Sequence, residues 1–215
     1  MLLFGSIYGN EASETYMGKG MVDVSVPAYF ALILSVTAFM SVPMTLSEYR
    51  EKKILKRYIA TPLNKSKVLI SIFSINLITT LLGMLLLFIT AKIKYNVKFE
   101  GNPLIFASML ILSITTMYLI GLLLSNIGRT IKNTNTLCYS VFFPMLFLSG
   151  ATIPKEIFPS SISKITKIVP LGYVVDVLKA AWLGNGINSY LNGIIFLVIA
   201  LVICFIFNCV LFKWD

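Results

Sequence analysis

Between Ser47 and Val68 the chain gathers Glu48, Arg50, Glu51, Lys52, Lys53, Lys56, Arg57, Lys65 and Lys67, with Leu55, Tyr58 and Thr61-Pro62 among them. Residues of these types can dock a partner or anchor a loop, but they do not form a reaction centre. Histidine, the commonest general base and metal ligand, does not occur in the chain. Cys138, Cys204 and Cys209 show no metal-site or disulfide spacing and lie in apolar runs, where cysteine behaves as a small apolar residue. A membrane-embedded enzyme would gather carboxylates at one face, yet only Glu48, Glu51 and Asp215 fall near the inner side. Placed on a helix, Ile54, Leu55, Tyr58 and Ile59 make an apolar face, and Lys52, Lys53, Lys56 and Arg57 cover the other. Pro62 lacks an N–H and biases Thr61 away from the helical region, so the pattern predicts an amphipathic helix over 51–62. Two roles fit it: a docking helix, or a solvated basic loop that fixes topology.

The elements that must hold this segment are apolar. Of 215 residues, 57% are hydrophobic and 13% charged, and mean hydropathy is +0.87. Runs of about 20 residues, long enough to cross a bilayer, are predicted at 27–47, 68–91, 103–124, 135–153 and 191–212. The fold class is all-α and polytopic, a single transmembrane domain over 1–215. Residues 1–8, apolar but too short to cross, read as the stub of a first span. The net charge of +9 follows from topology and does not call for a nucleic acid partner. Arg50, Lys52, Lys53, Lys56, Arg57, Lys65, Lys67, Arg129, Lys132 and Lys213 fall on one side in short segments, which places that side, and the C-terminus, in the cytoplasm.

Other polar positions have definite expectations. Asn76 and Thr80 share a face of the second run, where interhelical hydrogen bonding and a polar substrate path both fit. Pro43 is expected to bend the first complete span, Pro103 to begin the third, and Thr115, Thr116 and Gly121 to pack closely. Pro144 lies mid-span, and Ser149-Gly150 followed by Pro154 should end that helix early. The proline-bounded segments up to Trp182, including Pro170 and Asp176, are predicted to lie on or dip into the outer leaflet, with Trp182 at the interface.

Arg50-Glu51 through Leu55, Thr61-Pro62 and Leu63 resembles the first cytoplasmic loop of the membrane-spanning subunits of type 2 ABC exporters. Phe143-Pro144 through Ser149-Gly150, Pro154, Phe158-Pro159 and Pro170-Leu-Gly-Tyr-Val-Val-Asp176 is similar to the C-terminal half of the same family, of the daunorubicin or antibiotic-resistance kind. Lys53-Ile54 stands where many relatives have Gly-Thr, and Tyr58 where they have Leu. The resemblance implies a six-span permease subunit with its first span truncated, working with a second permease subunit as a homo- or heterodimer in the plasma membrane. It implies coupling through Arg50, Glu51, Leu55, Tyr58, Thr61 and Pro62 to a separate cytoplasmic ATPase that binds ATP and Mg. It also implies an outer re-entrant gate over 154–183 built with Pro144, Ser149, Gly150, Pro154, Pro170 and Asp176, and a drug, antibiotic, peptide or lipid-like substrate. This chain shows no Gly-x-x-x-x-Gly-Lys-Ser/Thr and is expected to bind no cofactor itself. A channel, or a non-transporting immunity or anchor protein, is the alternative.

Overall fold

The computed structural model describes residues 12–13, 19–54, 65–152, 166 and 168–211. The expected stub at 1–8 and the segment 55–64 lie outside them, as do Pro154 and its neighbours to 165. Two short strands, β1 (Ala12–Ser13) and β2 (Lys19–Gly20), pair antiparallel ahead of the first helix. Among the described residues everything else that is regular is helical.

The first helix begins at Met21, six residues before the expected Pro27. Its initial stretch, α1 (Met21–Val36), carries Asp23 in the first turn, where a carboxylate complements the helix dipole, and Pro27 is buried inside it. A π-helical turn, Thr37–Ser41, joins it to α2 (Val42–Glu51). Pro43 has no N–H to offer to the preceding turn, and just before it the ladder widens so that the Val42 N–H reaches the Thr37 carbonyl. The expected disturbance at Pro43 is therefore a π-turn. It brings the Ala38 carbonyl against Gly121, where any side chain would occupy the position of that oxygen.

Next come α3 (Lys65–Tyr95), α4 (Pro103–Gly128), α5 (Ile131–Leu148), the short α6 (Pro170–Trp182) and α7 (Leu191–Leu211). Pro103 opens α4 as expected, and the Asn102 side chain caps it by accepting from the Leu104 N–H at 2.9 Å. The helix expected over 135–153 runs instead over Ile131–Leu148, because Thr130 caps it four residues earlier and Gly150, at φ +83°, stops it. Ser149 completes the stop: its hydroxyl donates to the Leu146 carbonyl and accepts from the Ala151 N–H.

Among the described residues four helices are long and apolar enough to cross a membrane: Met21–Glu51, Lys67–Tyr95, Pro103–Gly128 and Leu191–Leu211. The expected fifth, α5, has 18 residues and a polar first turn that includes Lys132, Asn133 and Asn135. Met21–Glu51 is the central helix, with 61% of its apolar window buried, against 22% for α3 and 17% for α7. The latter two present Ile70, Ile75, Leu86, Phe205 and Val210 outward, as lipid-facing helices must.

The amphipathic helix α6, expected to lie on or dip into the outer leaflet, packs among the longer helices. Leu171, Val174, Val177 and Leu178 are fully buried against α1, α4 and α7, and Asp176 lies on its exposed side. Trp182 is likewise buried. It is packed edge-on by Phe30, Phe88, Phe99 and Phe106, with ring centroids 4.9–5.8 Å away. With thirteen residues, about 20 Å of helix, α6 is too short to cross and gains its stability by filling the space among its longer neighbours.

Candidate functional site

The site is built where α2 runs out into the basic segment. The α-helix closes at Glu51, and Lys53 turns the chain away at φ 56°. Arg50 and Glu51 therefore belong to the end of a membrane helix, not to one helix over 51–62. Leu55, Tyr58, Thr61 and Pro62 lie outside the described residues. Lys52 folds back onto Glu48 one turn earlier, and this contact raises its pKa above the usual lysine value.

Both residues at the helix end reach across to other helices. The Arg50 guanidinium donates from Nη1 to the Ser125 carbonyl and from Nη2 to Asn126 Oδ1, each at 2.9 Å. Glu51 Oε2 accepts the Ile131 N–H at 2.8 Å, occupying one of the donors that the start of α5 leaves unpaired. One turn back, Ser47 Oγ lies 2.9 Å from Ser125 Oγ and 2.8 Å from Thr134 Oγ1, three hydroxyls fully removed from solvent. Asn126 continues the chain of contacts by donating to Asn208 Oδ1 at 2.8 Å, and Asn208 Nδ2 donates to the carbonyls of Leu119 and Cys204. The ends of α2, α4 and α7 and the start of α5 are thus tied at one end of the bundle. Chemically the arrangement has no nucleophile–base pair, and among the described residues no cluster suits a metal. Its hydrogen bonds hold the helix ends in register.

Ser47, Ser125, Asn126, Thr134 and Asn208 are absent from the sequence-based site. Asn208 had a readable signal: between Gly193 and Leu211 it is the one amide in an apolar run, and such a group in lipid needs a partner on another helix. Nothing in the pattern links Ser47 to Ser125 or Thr134, because the pairing depends on how α4 and α5 dock.

The remaining predicted residues fall elsewhere. Thr80 meets Tyr118 OH at 2.7 Å, whereas Asn76 donates to Ile72 of its own helix and lies beside a groove between the inner half of the first helix and α3. Thr80 thus makes an interhelical hydrogen bond, and among the described residues Asn76 bonds only within its own helix. Pro144 lies on an exposed aromatic side of α5 with Phe143 and Phe147, Ser149 and Gly150 at its far end, and Pro170 at the first position of α6. Ser149 and Gly150 are separated from the Glu51–Ile131 contact by the length of α5.

The family model described as ABC-2 family transporter protein matches residues 9–210. The Escherichia coli K12 protein named "Inner membrane transport permease YhhJ" is 25% identical over 161 residues, 72% of this chain and 43% of that protein. "Probable multidrug ABC transporter permease YbhR" of the same organism is 22% identical over 158 residues, 74% of this chain and 43% of the relative. "ABC transporter G family member 20" of Dictyostelium discoideum is 26% identical over 196 residues, 90% of this chain and 26% of the relative. The chain thus spans less than half the length of these relatives. No solved structure matches it at a significant level. The chain belongs to the ABC-2 transporter family as a membrane-spanning permease subunit.

Proposed function

We propose that this permease subunit exports a drug, antibiotic, peptide or lipid-like substrate across the cell membrane, driven by a separate cytoplasmic ATPase that carries ATP and Mg. A second permease subunit, identical or not, completes the pathway. The basic end faces the cytoplasm, and the segment over 51–62 receives the ATPase. The observation that supports this reading is the tie made by Arg50 and Glu51. The basic segment emerges from a helix end fastened to α4, α5 and, through Asn126, α7, so a displacement of that segment is resisted by four helices together. A loose topological loop would need no such fastening.

The test compares the apolar and charged faces. Leu55→Asp is expected to abolish energy-dependent efflux and weaken co-purification of the ATPase, since a buried apolar contact at a packed interface is worth about 1–3 kcal/mol. Seven basic residues, Arg50, Lys52, Lys53, Lys56, Arg57, Lys65 and Lys67, remain in the segment, so insertion should be unchanged. Lys52→Gln with Lys56→Gln should be milder, because exposed charges mainly affect encounter. The opposite ranking, with Leu55→Asp active and the double variant inactive, would replace apolar docking by a charge-mediated role.

A further inference from the structure

A groove of about 390 Å³ runs between the inner half of the first helix and α3. On one wall are Ser41, Thr45 and Tyr49, and on the other Lys67, Ser71 and Asn76. Among the described residues the hydroxyls of Ser41, Thr45, Tyr49 and Ser71 make no hydrogen bond. Elsewhere in the helices Ser35, Thr37, Thr90, Ser113 and Thr115 donate to a carbonyl of the preceding turn, as Thr79 does at the deep end of the groove. The groove thus holds a cation and several hydroxyl donors that make no hydrogen bond among the described residues. Polar groups at membrane depth are costly unless something satisfies them.

The groove runs from the basic end toward the bilayer centre. Lys67 is at the basic end, and Thr79, the deepest lining residue, lies twelve residues further along α3, about 18 Å toward the bilayer centre. Val68, Ile72 and Ile75 line the same wall. From Ile75 an exposed apolar track continues through Ile78 and Leu82, spaced to stay on one face of the helix. A charged head, a polar neck and an apolar track in that order match an amphiphile entering from one leaflet. A free inorganic anion would have no use for the track, and a purely apolar helix would leave the cation and hydroxyls unmet.

The geometry points to a binding site for an anionic phospholipid of the leaflet at the basic end. Its phosphodiester faces the Lys67 ammonium, Ser71, Thr45 and Tyr49 donate to its oxygens, and one acyl chain follows Ile75, Ile78 and Leu82. The site does not depend on the transport reading, since lipid binding needs neither ATP nor the ATPase.

The experiment uses the full-length protein in detergent with phosphatidylcholine, titrated with phosphatidylglycerol, and bound lipid is counted by native mass spectrometry. Phosphatidylglycerol should be retained about five-fold or more over phosphatidylcholine, the effect of roughly one lysine on an anionic lipid. Lys67→Gln should remove that preference, whereas Lys132→Gln, at the same end on α5, should keep it. Ile75→Trp, which fills the groove without touching its charge, should lower retention of phosphatidylglycerol as well, and it carries the test if Lys67→Gln fails to fold. Millimolar inorganic phosphate should not displace the lipid. The proposal is overturned if the wild type shows no preference, or if Lys67→Gln keeps it. It is also overturned if Lys132→Gln loses the preference equally, which would mean a diffuse charge effect, or if phosphate competes, which would mean a free-anion site. Retention undiminished in Ile75→Trp would likewise exclude this groove.

Discussion

Arg50 and Asn208 do different work within one polar chain. Arg50 is half-buried and charged, so its two hydrogen bonds to Ser125 and Asn126 offset a desolvation that would otherwise be expensive. Asn208 is neutral and buried, and it bridges α7 to α4 through Asn126 and Leu119. Interhelical hydrogen bonds of this kind in membranes average about 0.6 kcal/mol and reach about 1.7. Arg50→Met removes donors to two acceptors and is expected to cost about 1.5–3 kcal/mol, a hydrogen bond to a charged group being worth that much. Asn208→Leu should cost clearly less, because the apolar side chain suits lipid. Thermal unfolding of the detergent-solubilised protein checks the order: the midpoint should fall further for Arg50→Met, and an Asn208→Leu effect as large would mean the amide, not the guanidinium, carries the junction.

At the scale of the element, helix starts and stops were well marked where one residue acts alone. Pro103 with Asn102 opens α4, and Ser149-Gly150 closes α5. Gly150→Leu forces a branched side chain into a left-handed backbone that glycine adopts freely. It is expected to reduce efflux several-fold while leaving membrane-inserted protein close to wild-type amount, because the strain falls on the turn after α5 and not on the bundle. Equal loss of both would mean that the turn is needed for assembly. What could not be read from the sequence depends on tertiary placement. The pattern at 170–182 is amphipathic whether the helix lies on a membrane surface or among other helices. Its burial follows from neighbours such as Val177 against Gly193 and the rings around Trp182. The charge pattern puts Glu51 at the start of the basic helix, but Glu51 ends α2 and the backbone turns only at Lys52–Lys53.

Taken whole, the bundle has two unlike ends. One is polar and tied by Ser47, Arg50, Ser125, Asn126, Thr134 and Asn208; the other is closed by the aromatic group around Trp182, whose buried Nε1 has no hydrogen-bond partner among the described residues. In a background lacking Cys138, Cys204 and Cys209, a cysteine at Lys56 is expected to react only with reagent supplied from the cytoplasm, and one at Lys164 only from outside. The reverse pattern would invert the orientation proposed for the polar end.

The π-turn at Thr37–Ser41 has a consequence for phase. Leu34 and Val42, both buried, are eight residues apart. Eight residues of regular α-helix turn about 800° and end about 80° out of line, whereas seven turn about 700° and return to within about 20°. By absorbing one residue, the wide turn acts as a frame correction that keeps Leu34 and Val42 on one buried stripe. Losing a residue there should therefore disturb the bundle less than gaining one above it. Cysteines placed at Ser47 and Ser125, whose hydroxyls now lie 2.9 Å apart, should still form a disulfide when Met40 is deleted. They should fail to do so when an alanine is inserted after Leu32, which would swing Ser47 and Arg50 about 100° away from α4 and unfasten the end from which the basic segment departs.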